Sequence, residues 1–207
     1  MHDQLGPHNL SRAGLNYNYQ FKTGENSRLR IGTQISLLHH TVDFGKYVTL
    51  DPEPNLLSGK HSGLKPDVDF GITYSLKRSY FGISVTHLFE PVFKYGSFAY
   101  LFQRHYYFTA GKSLAFGASW TTDASFIYRS FPPNKTHALD FTSIAKHSSG
   151  LMVGAAYRVG IYYSYNSNPV ILFTGYNYKN KFQILLAHDL PSTALGYALE
   201  GNIKVWF

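Results

Sequence analysis

Apolar and polar residues alternate with a period of two along most of this chain. From Arg12 to Lys22, apolar residues occupy every odd position, and polar residues or glycine occupy every even one. The stretches 27–44, 67–76 and 114–130 repeat this pattern. Because successive side chains of a β-strand point to opposite faces, the alternation predicts strands with one apolar and one polar face.

Weaker alternation predicts further strands at roughly 79–89, 101–112, 137–146, 150–158, 169–178 and 181–189, and a last strand from Tyr197 to Phe207. The pattern therefore predicts about eleven strands and no helix. A sheet of consecutive strands joined by turns is antiparallel, so the predicted fold class is all-β and antiparallel.

The connections between these strands alternate in length. Short turns are predicted at 23–26, 77–78, 112–113, 147–150 and 180, and longer loops at about 45–66, 90–100, 131–136, 159–168 and 190–196. Outer-membrane barrels have short periplasmic turns and longer outer loops. The alternation therefore predicts a transmembrane outer-membrane β-barrel with its short turns in the periplasm of a Gram-negative cell.

Composition supports a membrane strand protein. Hydrophobic residues make up 44% of the chain and charged residues only 15%, yet no apolar run approaches the ~18 residues of a membrane helix. Val170 to Phe173 is among the longest such runs. A membrane protein with dispersed apolar residues satisfies its backbone polar groups by closing a barrel, so residues 1–207 are predicted to form a single barrel domain.

The start of the chain lacks the apolar core of a secretory signal. We therefore expect the natural protein to carry a signal peptide before residue 1. Because the first predicted strand starts on the long-loop side, an odd number of N-terminal strands is expected to be missing as well.

Aromatic residues are abundant, with 17 Tyr and 16 Phe. Near strand ends they fit the interfacial girdles of a barrel, and a sandwich core is the alternative. The chain ends on Phe207 with apolar residues at alternate positions before it. This is typical of a barrel-insertion signal, and an ordinary amphipathic strand is the alternative.

The net charge is +7 at pH 7. Cations cluster at the predicted short turns: Lys22, Lys77, Arg78, Lys112, Lys146, Lys179 and Lys181. There they would contact inner-leaflet phosphates or an acidic periplasmic protein, or would simply be solvated. The polar faces carry both charge signs, which favours pairs that fill a lumen over a selective pore: Arg12, Lys22, Arg28, Arg30, Asp67, Asp69, Asp123, Arg129, Asp140, Arg158, Glu200 and Lys204.

Other functions lack sequence support. There is no cysteine and no G-x-S-x-G motif, and the adjacent His39 and His40 would point to opposite faces of a strand. We therefore expect no catalytic residue, no metal ligand and no cofactor. No recognition helix or stacking motif accompanies the positive charge, so nucleic acid is not an expected partner.

Several segments resemble the PorP/SprF family, membrane proteins of the type IX secretion system and its gliding motility apparatus. The segments are Leu5-Gly6-Pro7, 13–21, 29–34, 66–74, 80–85, 104–111 and Ala156-Tyr157-Arg158. The resemblance implies a barrel of about fourteen strands, three of them missing here, and no catalytic or ligand residues. It also implies contact with periplasmic secretion components and with the C-terminal domain of secreted adhesins.

The leading hypothesis is a non-enzymatic outer-membrane scaffold or anchor of type IX secretion, with membrane lipid and other secretion components as partners. A pore or hydrophobic-solute transporter is the alternative. A membrane-embedded hydrolase is a third class, which would require a reactive serine.

Overall fold

The computed structural model describes residues 2–47, 59–132, 136–161, 170–179, 181–190 and 198–206. A 3-10 turn, Phe44–Lys46, accompanies the strands. In this part of the chain, no helix is long and apolar enough to cross a membrane.

The strands, numbered in chain order, are β1 His2–Leu5, β2 His8–Gly24, β3 Ser27–Asp43, β4 Lys60–Leu76, β5 Ser79–Thr86, β6 Val92–Tyr95, β7 Phe98–Leu101, β8 His105–Phe116, β9 Trp120–Phe131, β10 Thr136–His147, β11 Leu151–Ile161, β12 Val170–Tyr178, β13 Phe182–Leu190 and β14 Ala198–Val205. β6 and β7 form a two-stranded hairpin of their own. The other strands form one sheet in the order β1-β2-β3-β4-β5-β8-β9-β10-β11-β12-β13-β14.

The predicted all-β antiparallel fold class is confirmed, because neighbours in this twelve-stranded sheet follow one another along the chain as a meander. The sheet is of the kind that outer-membrane barrels are built from. It has one strand more than the eleven predicted. The additional strand, β1, spans only four residues, too few for an alternating pattern to be seen.

One predicted turn is wrong. Lys112 and Ser113 lie inside β8, and the chain turns at residues 117–119, where Gly117 has a φ of 60°. The error arose because Lys112 interrupts the apolar positions of its strand, as a turn residue would. The turn itself contains none of the Asn-Gly or Asp-Gly pairs that mark two-residue hairpins.

Two predicted loops contain strand residues. Residues 60–66 of the loop placed at 45–66 belong to β4, and most of the loop placed at 90–100 is the β6–β7 hairpin. Pro66 makes the start of β4 look like a loop, because proline lacks the N–H that a sheet interior requires. Residues 48–58 lie outside the described part of the chain.

The residues group into two compact units. The first comprises Met1–Gln20, Arg30–Ile72 and Ser84–His105, and the second comprises Phe21–Leu29, Thr73–Ile83 and Tyr106–Phe207. The first unit contains a buried cluster of Leu38, Val42, Phe93 and Tyr95.

In both units one face of the sheet bears large exposed apolar side chains, and we call it the apolar face. Leu15 of the first unit is 84% exposed and Ile203 of the second is 72% exposed. Tyr17 is 67% exposed, which excludes a sandwich core for this residue. The opposite side, which we call the polar face, carries most of the ionised groups of the strands. This division follows from the period-two pattern. The exposed apolar side chains require a surrounding apolar medium.

Candidate functional site

Four of the seven basic residues predicted at short turns lie in turns. Lys77 and Arg78 join β4 to β5, and Lys179 and Lys181 lie between β12 and β13. Lys77 has a φ of 51° and Lys179 a φ of 48°, the left-handed conformation that glycine or asparagine adopts most readily. The chain therefore holds a lysine at two turn positions where lysine is conformationally unfavourable.

The other three basic residues lie in strands. Lys22 is close to the end of β2, and Lys112 lies within β8. Lys146, near the end of β10, places its Nζ 2.5 Å from Asp123 Oδ2. This ion pair leaves Lys146 less available to a partner than the turn cations are. Phe207, the predicted insertion signal, lies outside the described residues.

A polar cluster lies on the polar face of the first unit. Arg12 Nη2 is 2.6 Å from Asp69 Oδ2, and His87 Nδ1 is 2.5 Å from Asp67 Oδ2. The backbone N–H of His87 also donates to Asp69 Oδ1 at 3.0 Å. His87 has a φ of 57°, so two contacts with the aspartates hold it in an unfavourable conformation.

Asp67, Asp69 and His87 are also the described residues best placed to hold a metal ion. Asp67 is fully buried, and its Oδ1 has no hydrogen-bond partner among the described residues. A cation there would compete with Arg12 for Asp69 and with the His87 ring for Asp67. The contacts that these residues already make identify the cluster as an ion-pair network and argue against a metal centre.

Sequence reasoning recognised only part of this cluster. The spacing of Asp67 and Asp69 places both carboxylates on one face, as predicted. The sequence did not identify His87 as part of the cluster, because the path of the chain after β5 brings His87 close to the two aspartates. No local pattern in the sequence encodes that approach.

The β6–β7 hairpin covers part of the polar face of the first unit. Phe93 of the hairpin is 2% exposed, and it packs with Leu38 and Val42 of β3. Gly63 of β4 makes room for it: a Cβ atom there would lie 2.8 Å from the Phe93 ring. This packing of Phe93 against Leu38 and Val42, which we call the hairpin seat, anchors the hairpin on the polar face of the sheet.

A chain of histidine and tyrosine side chains runs beside this seat. Tyr47 Oη is 2.9 Å from His8 Nε2, His8 Nδ1 is 3.1 Å from His40 Nε2, and His40 Nδ1 is 3.1 Å from Tyr95 Oη. Tyr95 donates its hydroxyl proton to the His40 carbonyl at 3.0 Å. With both imidazoles neutral, one arrangement of protons satisfies every contact. Burial raises the pKa of the Tyr95 hydroxyl, which stays protonated.

The polar face of the second unit is also paired. Asp140 accepts a hydrogen bond from Arg158 Nε at 2.6 Å and forms a second ion pair with Arg129. Together with Lys146–Asp123, these contacts confirm the predicted pairing of charges for Asp123, Arg129, Asp140 and Arg158. In these ion pairs the charged groups hold one another in place.

The model of the family "Type IX secretion system membrane protein PorP/SprF" matches residues 1–205. A comparison with curated proteins returns no match. The match covers nearly the whole chain and agrees with the antiparallel sheet and its exposed apolar face. The chain therefore belongs to the PorP/SprF family of type IX secretion system membrane proteins.

Proposed function

We propose that this protein is a non-enzymatic scaffold or anchor of type IX secretion in the outer membrane of a Gram-negative cell. Its basic short turns bind an acidic periplasmic component of the machinery. The long-loop ends of its strands hold the C-terminal domain of secreted adhesins.

The observation that supports a scaffold most directly is the β6–β7 hairpin on the polar face. A conducting lumen needs a continuous polar, hydrated surface. In the first unit, buried Phe93, Leu38 and Val42 occupy that face. A barrel closed from this sheet would carry the hairpin inside, which favours a filled interior over an open pore.

The turn lysines support the binding part of the proposal. A non-glycine residue in the left-handed region costs about 1 kcal/mol or more. Lys77 and Lys179 both adopt it. A preference for positive charge at the tip of the turn, in place of the residue that fits the turn best, accounts for the lysine at both positions.

The test is complementation of a strain that lacks the gene, with secreted surface adhesin as the readout. One variant replaces Lys77, Arg78, Lys179 and Lys181 by Gln. A matched control replaces Lys46, Lys60, Lys65 and Lys94, exposed cations at or near the long-loop ends, by Gln. Because those ends hold adhesin in this proposal, the control is judged by periplasmic assembly of the machinery and not by adhesin export. Both variants lose the same charge, so they differ only in where it is lost.

We expect the turn variant to reach the outer membrane at the native level, to assemble poorly with the periplasmic components and to export markedly less adhesin. The control variant should restore periplasmic assembly of the secretion machinery. Equal secretion by the native protein and the turn variant would contradict the binding role of the turns.

A further inference from the structure

A groove of about 390 Å³ lies on the apolar face of the second unit. Its floor contains the small residues Ala110 and Ala124, and its walls are Phe81, Phe126 and Phe141. Ala110 is only 8% exposed although its face of the sheet is open. The neighbouring phenylalanine rings therefore form a real depression, of a size that small ligands occupy.

Lys112 lines this groove and interrupts the apolar face. It lies two residues after Ala110 in β8, on the same face, and directly opposite Ala124 in β9. Its ammonium group forms neither an ion pair nor a hydrogen bond with any described residue. A cation facing lipid is unfavourable unless it reaches the interface or an anion.

The cationic end of the groove is level with a short turn. Ser113, next to Lys112, donates its backbone N–H to the Arg78 carbonyl at 2.8 Å. Lys77 and Arg78 are both exposed in that turn. The β4–β5 turn therefore places further positive charge beside Lys112, at the level where lipid headgroups meet the short-turn end of the strands.

We propose that this groove binds one anionic glycerophospholipid. An acyl chain lies over Ala110 and Ala124 between the phenylalanine rings, and Lys112 binds the phosphate. The acyl chain gains little by leaving other lipid tails, so selectivity comes from the phosphate contact and from the fit of the groove. The inference depends on the membrane location of the family and not on the proposed scaffold role.

The experiment is native mass spectrometry of the full-length protein released from nanodiscs with equal amounts of phosphatidylglycerol and phosphatidylcholine. The native protein should retain one phosphatidylglycerol in preference to phosphatidylcholine. Lys112→Gln should reduce this preference about fivefold, the effect of one lysine at a membrane surface. Lys112→Arg should retain it.

Two further variants test the groove itself. Ala124→Leu fills the floor and should abolish retention of both lipids. Ala155→Leu makes the same change at an exposed position of β11, outside the groove, and should leave retention unchanged. The heat-dependent mobility of each folded protein on a gel confirms that it is folded.

Equal retention of the two lipids by the native protein would overturn the proposal, as would equal preference in the native protein and Lys112→Gln. Neither result would affect the scaffold proposal, which concerns protein partners. Loss of adhesin secretion with intact lipid retention would likewise separate the two.

Discussion

At the residue scale, Asp140 links two arginines of the second unit. It is buried, and both Arg129 and Arg158 bind it. Removal of the shared carboxylate would leave two cations, one on β9 and one on β11, without the anion of β10 that lies between them. A like-charge pair is unfavourable at such positions, and a charge-assisted hydrogen bond is lost with each arginine.

We therefore expect Asp140→Asn to lower the free energy of unfolding by about 2 kcal/mol, with the two half-exposed arginines limiting the loss. Denaturant titration of the protein in lipid vesicles measures this. Glu25→Gln, in the exposed β2–β3 turn, is the matched control and should change little. Equal stability of the two variants would contradict a structural role for the arginine–aspartate network.

At the element scale, the β12–β13 hairpin has strands that pair along their whole length and a turn with an unfavourable backbone conformation. Val170 pairs with Leu190 and Tyr178 with Phe182, so the strands match over their whole length. Lys179 nevertheless takes a left-handed φ of 48°. The pairing of the strands, and not the preference of the turn residue, therefore determines where this hairpin forms.

Lys179→Asn should stabilise the protein by about 0.5–1 kcal/mol, because asparagine tolerates the left-handed region better than lysine. The measurement is the shift of the denaturant midpoint. Lys181→Asn, which has no unfavourable φ, is the control for the loss of charge. Stabilisation of the same size in both variants would show that the charge, and not the backbone, is responsible.

The β6–β7 hairpin provides a prediction for acid. His40 Nε2 accepts a hydrogen bond from His8 Nδ1 in the chain described above, so protonation of His40 sets two donors against each other. When the hairpin detaches, His40 loses its contacts with Tyr95 and can bind a proton. Attachment is therefore fully favourable above the ordinary histidine pKa of about 6.5 and weakens as the pH falls below it.

Hydrogen exchange at the amides of residues 92–95 should accelerate between neutral and mildly acidic pH, after correction for the intrinsic pH dependence of exchange. His40→Gln keeps a donor and an acceptor but does not titrate, so its acceleration should be smaller. His61, whose ring lies 6.0 Å from that of Tyr95, is present in both proteins and cancels in the comparison. An identical response in both proteins would exclude His40 as the sensitive group.

The elements differ in how far the sequence predicted them. β2 alternates strictly and was located to within a few residues. β12 was located to within one residue although it opens with the apolar run Val170 to Phe173. The β6–β7 hairpin was read as a loop because packing against β3, which no local pattern records, determines its position. Lys112 was read as a turn residue because charge on an apolar face breaks the alternation on which strand prediction depends.

At the scale of the whole molecule, contacts within the protein occupy the polar face. The hairpin seat and the Arg12–Asp69 pair use it in the first unit, and the contacts of Asp140 and Asp123 use it in the second. The sequence predicted the paired charges, since both signs alternate along the polar positions. It did not predict the buried aromatic seat. Both features favour a scaffold over a pore.

The most direct test of this account is single-channel recording of the full-length protein in planar bilayers. We expect no stable conducting level from the native protein. When a short glycine–serine linker replaces residues 92–101, the hairpin is lost and steady conductance should appear. A native protein that conducts steadily, with the same conductance after the hairpin is removed, would contradict the scaffold and favour a pore.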